Sequence, residues 1–350
     1  MNLKTTVGQA WIEVLAALQE ASEAVVKRTI GDPAAEAVGH RFVSRLFASM
    51  RLFALEQDAS RPSFVPVMST QRKFFADNPD TTYHRTPVRA DLSYRITGTR
   101  GSCEYLSFCV YAVSEEGTSI VSNLADSDLE LDENGHFEIM VSVERPADAP
   151  NWMALAPGVR SLVARQYFLD RDTEIAPTYS IECITSSDQS VPPEMPYIGL
   201  RDSFSRAMKA TLLAHDAWSK QPNQVSFESG AADVINLFPT PDNQYAGGWF
   251  ALEPEHAVVV TVQPPDCRYW SVQLLSPWLE SVDSDVGTAI INKRNAQLTG
   301  DNRIRFVIAT TDPGEPNWLH PGQLQAGCFV FRWMQAEQAP AKPTCELIAL

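Results

Sequence analysis

Asn78-Pro79-Asp80-Thr81-Thr82-Tyr83 returns as Thr240-Pro241-Asp242-Asn243-Gln244-Tyr245, at an offset of 162 between the two aspartates. Working outward, Tyr105-Leu106-Ser107 returns as Tyr269-Trp270-Ser271, and Val121-Ser122-Asn123 as Ile290-Ile291-Asn292, at offsets of 164 and 169. Phe137 to Val141 answers Phe306 to Thr310, Pro150-Asn151-Trp152 answers Pro316-Asn317-Trp318, and Ala176-Pro177-Thr178 answers Lys342-Pro343-Thr344. Matches that keep one order while their offset drifts by a few residues mark a duplicated domain with small loop insertions.

Each copy reads as β. Ser93 to Gly98 and Tyr105 to Tyr111 are rich in β-branched and aromatic residues between turn signals. Asp132-Glu133-Asn134-Gly135 predicts a hairpin, since Asn-Gly suits a type I′ turn. Val159 to Phe168 and Thr178 to Ile184 read as further strands. Ahead of the first copy, residues 8–29 carry Trp11, Val14, Leu15, Leu18 and Val25 on one helical stripe. A second helix starts at Asp32-Pro33, with Asp32 as N-cap and Pro33 as first helical residue, and stops before Arg61-Pro62. The run Val191-Pro192-Pro193-Glu194-Met195-Pro196 and a helix over about Gly199 to Lys220 separate the copies. The reading is a mainly β chain with helical elaborations (α+β), built as two tandem jelly-roll or β-sandwich-like domains. Its parts are a helical lead-in (1–72), a first β-domain (73–190), a hinge with a linker helix (191–232) and a second β-domain (233–350).

A net charge of −15, from 28 basic and 43 acidic residues, argues against nucleic-acid phosphates as partner. Apolar runs are shorter than a membrane span needs, and the first residues do not read as a signal peptide, so no membrane partner is expected and the cytoplasm is the expected compartment. The six cysteines form no CxxC pair and are expected to be reduced.

The run Arg72 to Tyr83, Tyr94-Arg95-Ile96-Thr97-Gly98, Tyr269 to Leu274, Trp278 to Asp283 and Asp312 to Leu319 resemble bacterial proteins catalogued as domain of unknown function 1214, often found with the related domain of unknown function 1254. The resemblance covers nearly everything after residue 70. It implies a C-terminal jelly-roll-like domain, often paired with a second β-rich one, and no common reaction. Its members occur in bacteria that degrade sterols and aromatic compounds. Where relatives often continue with Tyr-Arg after the Glu280 to Asp283 segment, this chain has Ser284-Asp285.

A cupin metal centre needs two histidines at alternate strand positions with a carboxylate, and His-x-His is absent. GxGxxG, GxxxxGK[ST] and the G-x-S-x-G elbow are absent too. Acid–base chemistry with no cofactor and no metal survives this elimination. Its candidate catalytic residues are Tyr83, His84 and Arg85, which copy two replaces with Tyr245-Ala246-Gly247, and the acidic pair Glu280 and Asp283. Candidate substrate contacts are Arg165 and Tyr167, matched at an offset of 166 by Phe331 and Trp333, with Trp270, Trp278, Asn123 and Asn292. A strand-end brace is the alternative for Asn123 and Asn292, and the Asn-Trp pairs 151–152 and 317–318 are expected to anchor loops.

The expected function is a cofactor-independent enzyme acting on a hydrophobic, aromatic or sterol-like catabolite, by lyase or isomerase chemistry. One concrete form is release of a small aldehyde from a lignin-derived phenolic. The alternative is a non-catalytic module binding a carbohydrate or hydrophobic small molecule; a third reading is a structural component of a homo-oligomer.

Overall fold

The computed structural model describes residues 5–114, 117–186, 190–228, 240–283 and 286–350. The pair Ser284-Asp285 and the expected boundary between residues 232 and 233 lie outside the described residues. Helix α1 (Val7–Arg28) starts where the Thr6 hydroxyl accepts the Gln9 N–H, and α2 (Pro33–Leu55) where the Asp32 carboxylate accepts that of Ala35. These are the side-chain caps that free N–H groups at a helix start require. The linker helix α3 (Met195–Trp218) begins four residues before the sequence suggests, because Pro196 is tolerated in a first turn.

The first half contains β1 (Val65–Pro66), β2 (Thr81–Pro87), β3 (Tyr94–Thr99), β4 (Tyr105–Ser114), β5 (Gly117–Ala125), β6 (His136–Ser142), β7 (Asn151–Ala154), β8 (Val159–Tyr167) and β9 (Thr178–Cys183). The second contains β10 (Gln224–Glu228), β11 (Asn243–Ala251), β12 (His256–Val262), β13 (Tyr269–Leu275), β14 (Ile290–Asn292), β15 (Ile304–Ile308), β16 (Trp318–Leu319), β17 (Ala326–Met334) and β18 (Thr344–Ala349). A five-stranded sheet β1-β2-β8-β4-β5 packs on a four-stranded sheet β7-β6-β3-β9. The second half repeats both, as β10-β11-β17-β13-β14 and β16-β15-β12-β18, strand for strand. The duplication is therefore shown at the level of topology. Asp132 to His136 forms a tight turn, with Gly135 at φ +76°, but β5 and β6 lie in opposite sheets, so it closes no hairpin.

Within each half, alternate residues of the facing sheets make the core: Leu106, Phe108, Val110, Leu162 and Ile139 in the first, Trp270, Val272, Leu274, Phe329 and Phe306 in the second. Each such side chain contributes roughly 1.5–3 kcal/mol by leaving water. The four-stranded sheets show the alternating burial of a solvent-facing sheet, as in β6. The five-stranded sheets do not. Tyr105 to Tyr111 and all of Tyr269 to Leu275 are buried on both faces. Their outer faces turn toward the other half and the helices, where Leu46, Phe204 and Met208 pack with Phe74 and Trp278.

Candidate functional site

The two halves are latched crosswise by the residues that define the repeat. The Asp80 carboxylate accepts hydrogen bonds from the Tyr269 hydroxyl at 2.8 Å and the Asn292 amide at 2.9 Å. Asp242 accepts from the Tyr105 hydroxyl, and from the Asn123 amide at 3.1 Å. Tyr167 joins the same seam, its hydroxyl accepting from the Asn243 amide at 2.8 Å. Burial raises the pKa of Asp80 and lifts the Tyr105 and Tyr269 phenols, which remain protonated donors at neutral pH. Asn123, Asn292 and Tyr167, proposed from sequence as substrate contacts, hold the halves together instead.

Strand pairing corrects the sequence alignment of Arg165. On the outer face of the first half, Tyr83, Arg165 and Ser107 stand side by side; on the second, Tyr245, Arg332 and Ser271 do. Arg165 therefore matches Arg332, not Phe331, and Tyr167 matches Met334. A slip of one residue moves a strand's side chains to the opposite face, and Phe331 and Trp333 lie in the second core. Aligning Val163-Ala164-Arg165 with Val330-Phe331-Arg332 would have exposed the match.

The two arginines, each 3% exposed, have opposite surroundings. Arg332 donates to the Gln273 side chain and to the carbonyl of Ala76. That carbonyl arrives on a turn with Phe75 and Ala76 both left-handed, at φ 52° and 56°, and pinned by the Ala76 N–H to the Leu279 carbonyl. Next to it, Trp249, Leu275, Cys328 and Val330 are sealed under Ala214 and Trp218 of α3. Arg165 donates from Nη2 to the Tyr111 hydroxyl at 2.6 Å, while its Nη1 has no hydrogen-bond partner. A buried donor left unpaired costs about 1–3 kcal/mol, more when charged.

Arg85 shares the face of Arg165, one diagonal step away across the β2–β8 pair. Its guanidinium lies 4.7 Å over the Phe53 ring and donates to the Gln57 side chain at 2.8 Å. Arg85 and Tyr83 keep accessible surface, yet desolvation draws the Arg85 guanidinium down to about 10 and raises the Tyr83 phenol. On this face Cys109, Tyr111 and Val163 form a small apolar cluster of their own. Burial raises the Cys109 thiol and the Tyr111 phenol, so both are protonated at neutral pH.

Tyr83, His84 and Arg85 do not act as a group. Alternate strand residues face opposite sides, so His84 points between the sheets of the first sandwich. There its Nδ1 hydrogen-bonds the Tyr179 hydroxyl at 2.7 Å, and burial lowers its pKa. Glu280 and Asp283 are separated as well. Glu280 pairs with Arg45 of α2 at 3.0 Å, and the exposed Asp283 with Lys73 at 2.5 Å. The carboxyl neighbour of Glu280 is Asp77: burial raises both, and the Asp77 charge adds to the rise at Glu280 against Arg45. Trp270 belongs to the second core, and Trp278 is stacked between Phe42 and His215. Asn151 and Asn317 brace loops as expected, donating to the Glu130 and Glu138 carbonyls and to those of Gln297 and Arg305. Among the described residues no group of three or more His, Cys, Asp or Glu side chains is placed to hold a metal ion.

Sequence reasoning named Tyr83, Arg85 and Arg165 but missed Tyr111, whose signal was its place on the Arg165 face, and the neighbouring Asp77.

No family model and no curated protein matches the chain. The solved structure of an uncharacterized protein from Burkholderia cenocepacia is similar over 98% of this chain and 97% of its own, with a TM-score of 0.88 and 28% identity. A Vibrio parahaemolyticus protein is similar at a TM-score of 0.52 and 12% identity, over 95% of this chain and 100% of its own, a likeness of fold.

Proposed function

We propose that the outer face of the first half offers a recess beside Arg165, Tyr83 and Arg85 that receives a small anionic molecule with an aromatic or other apolar body, and that the chain acts on it as a lyase or isomerase by proton transfer from its own side chains. The observation that carries this reading is Arg165: a buried guanidinium with one arm bonded to Tyr111 and the other unpartnered. A carboxylate or developing enolate oxygen placed there would receive a charge-assisted hydrogen bond from Nη1. Donors aimed at such an oxygen are worth about 10²–10³ in rate when they stabilise a transition state. The protonated Tyr83 phenol, beside Arg165 on the same face, is the proton donor in this scheme. Catabolites of aromatic or sterol type, including a lignin-derived phenolic losing a small aldehyde, fit the apolar walls of Phe53 and Val163. Kinship with the unknown-function families named above and residence in the cytosol belong to the same proposal.

A second reading, a binder without turnover, is favoured by one observation. Tyr83, Tyr111 and Cys109 all have pKa values raised by burial, so each is a donor rather than a base. Incubation with a panel of aromatic and steroid carboxylates, recording binding heats and products together, separates the two. Saturable binding with no conversion selects the binder. Failure of every anion to bind at millimolar concentration defeats both.

A further inference from the structure

We infer that the ligand of this recess carries two anionic groups, one for Arg165 and one for Arg85; the inference rests on the anion-binding reading above. Among the described residues neither guanidinium has a carboxylate within 4.0 Å, although the chain carries 15 more negative than positive charges. Asp242, whose charge acts together with that of Arg165 on Tyr105 and Cys109, is already engaged by the Tyr105 hydroxyl and the Asn123 amide. The hydrogen-bond partners of the arginines are neutral: Tyr111 for one, Gln57 for the other. A guanidinium stays protonated in a protein, so two positive charges, one buried and one half-buried, stand on one face with no carboxylate within 4.0 Å among the described residues.

The second half supplies the control. The position of Arg85 is taken there by Gly247, and a Cβ on the next residue, Gly248, would meet the Gln224 carbonyl at 1.9 Å, so β10 lies close against this stretch. The remaining cation, Arg332, has Nη1 on the Gln273 side chain and Nη2 on the Ala76 carbonyl, and like the other two it has no carboxylate within 4.0 Å among the described residues. One half thus bonds both terminal nitrogens of its single arginine within the chain, whereas the other has two arginines on one face, one of them with Nη1 unbonded among the described residues. Diagonal neighbours on adjacent strands are roughly 7–8 Å apart, and two long side chains from such positions can grip acidic groups on one small scaffold. Bidentate recognition of carboxylate is the geometry for which arginine is suited.

The test is isothermal titration of the full chain with benzamide, benzoate, phthalate, isophthalate and terephthalate, a series that varies charge and spacing on one ring. Wild type is expected to bind the best dicarboxylate at least about tenfold tighter than benzoate, the factor that about 1.4 kcal/mol represents. Arg85→Gln is expected to weaken the dicarboxylate severalfold more than benzoate, and Arg85→Lys to retain part of the preference. Arg165→Gln is expected to weaken both classes. Thermal midpoints of all variants confirm that each is folded. Equal wild-type affinity for benzoate and all three dicarboxylates, or an equal effect of Arg85→Gln on both classes, overturns the dianion inference and leaves the anion site standing. No preference for any of the anions over benzamide overturns both.

Discussion

Replacing Arg165 by methionine is expected to stabilise the ligand-free chain, whereas the same change at its counterpart Arg332 is expected to destabilise it. Burying an ion costs several kcal/mol even after relaxation. At Arg165 this is offset by one hydrogen bond to the Tyr111 hydroxyl at 2.6 Å, worth about 1.5–3 kcal/mol, and by a cation–ring contact at 5.6 Å. Methionine keeps much of the apolar stem and removes the unpartnered Nη1, for a net gain of about 1–2 kcal/mol. Arg332 instead satisfies the Ala76 carbonyl and the Gln273 side chain. Its loss leaves both acceptors buried without that donor, for a deficit of about 3–5 kcal/mol. Urea unfolding followed by tryptophan fluorescence measures both, with the slope checked for constancy so that midpoint shifts report stability. A loss of more than about 2 kcal/mol in Arg165→Met would refute the reasoning, because the guanidinium would then be a structural strut like Arg332.

His84→Ala is expected to leave anion affinity in the recess within about twofold of wild type, since His84 faces Tyr179 inside the sandwich, on the side of β2 opposite to Tyr83 and Arg85; a tenfold loss in calorimetry contradicts the face assignment. Gly248→Ala is expected to cost at least about 2 kcal/mol in urea unfolding, because its Cβ would stand 1.9 Å from the Gln224 carbonyl and β10 would have to part from β11; a neutral effect rules out that close pairing. Asp77→Asn tests a buried carboxyl whose pKa burial raises above 3.8. The folded chain there holds its proton more tightly than the unfolded chain, so its contribution to stability falls as pH rises from 3.8 through the folded value. The stability of Asp77→Asn relative to wild type is therefore expected to improve between about pH 4 and pH 7, and urea midpoints that move the other way refute the raised pKa. Asp80→Ala is expected to cost about 2–5 kcal/mol, from two hydrogen bonds to a charged group; loss below about 1 kcal/mol means the latch carries little.

Much of the architecture was readable because it rests on local periodicity. Asp32-Pro33 caps a helix for reasons internal to the segment, and the repeated Asp80/Asp242, Tyr105/Tyr269 and Asn123/Asn292 revealed two modules. What repetition could not reveal was that these three pairs meet one another across the seam, since identical positions carry no record of which copy they touch. The recess was harder for a different reason. Tyr83-His84-Arg85 reads as one polar group along the chain, but the strand period of two sends its histidine to the other side. Arg165 was recognised and then matched to the wrong residue, because one inserted residue in a loop is invisible in a drifting offset yet reverses a strand's faces. Glu280 found its carboxyl partner in Asp77, some two hundred positions away, where no spacing rule reaches.

The crosswise latch has a consequence for how such a recess can exist at all. Were the halves separate, identical subunits, every substitution would appear on both faces at once, and a guanidinium introduced at one would crowd the other. Joined in one chain, each half inherits the grip of its partner through Asp80 and Asp242 while its remaining positions are free to differ. Arg85 on one side and Gly247 on the other is a difference that a symmetric pair of subunits could not hold.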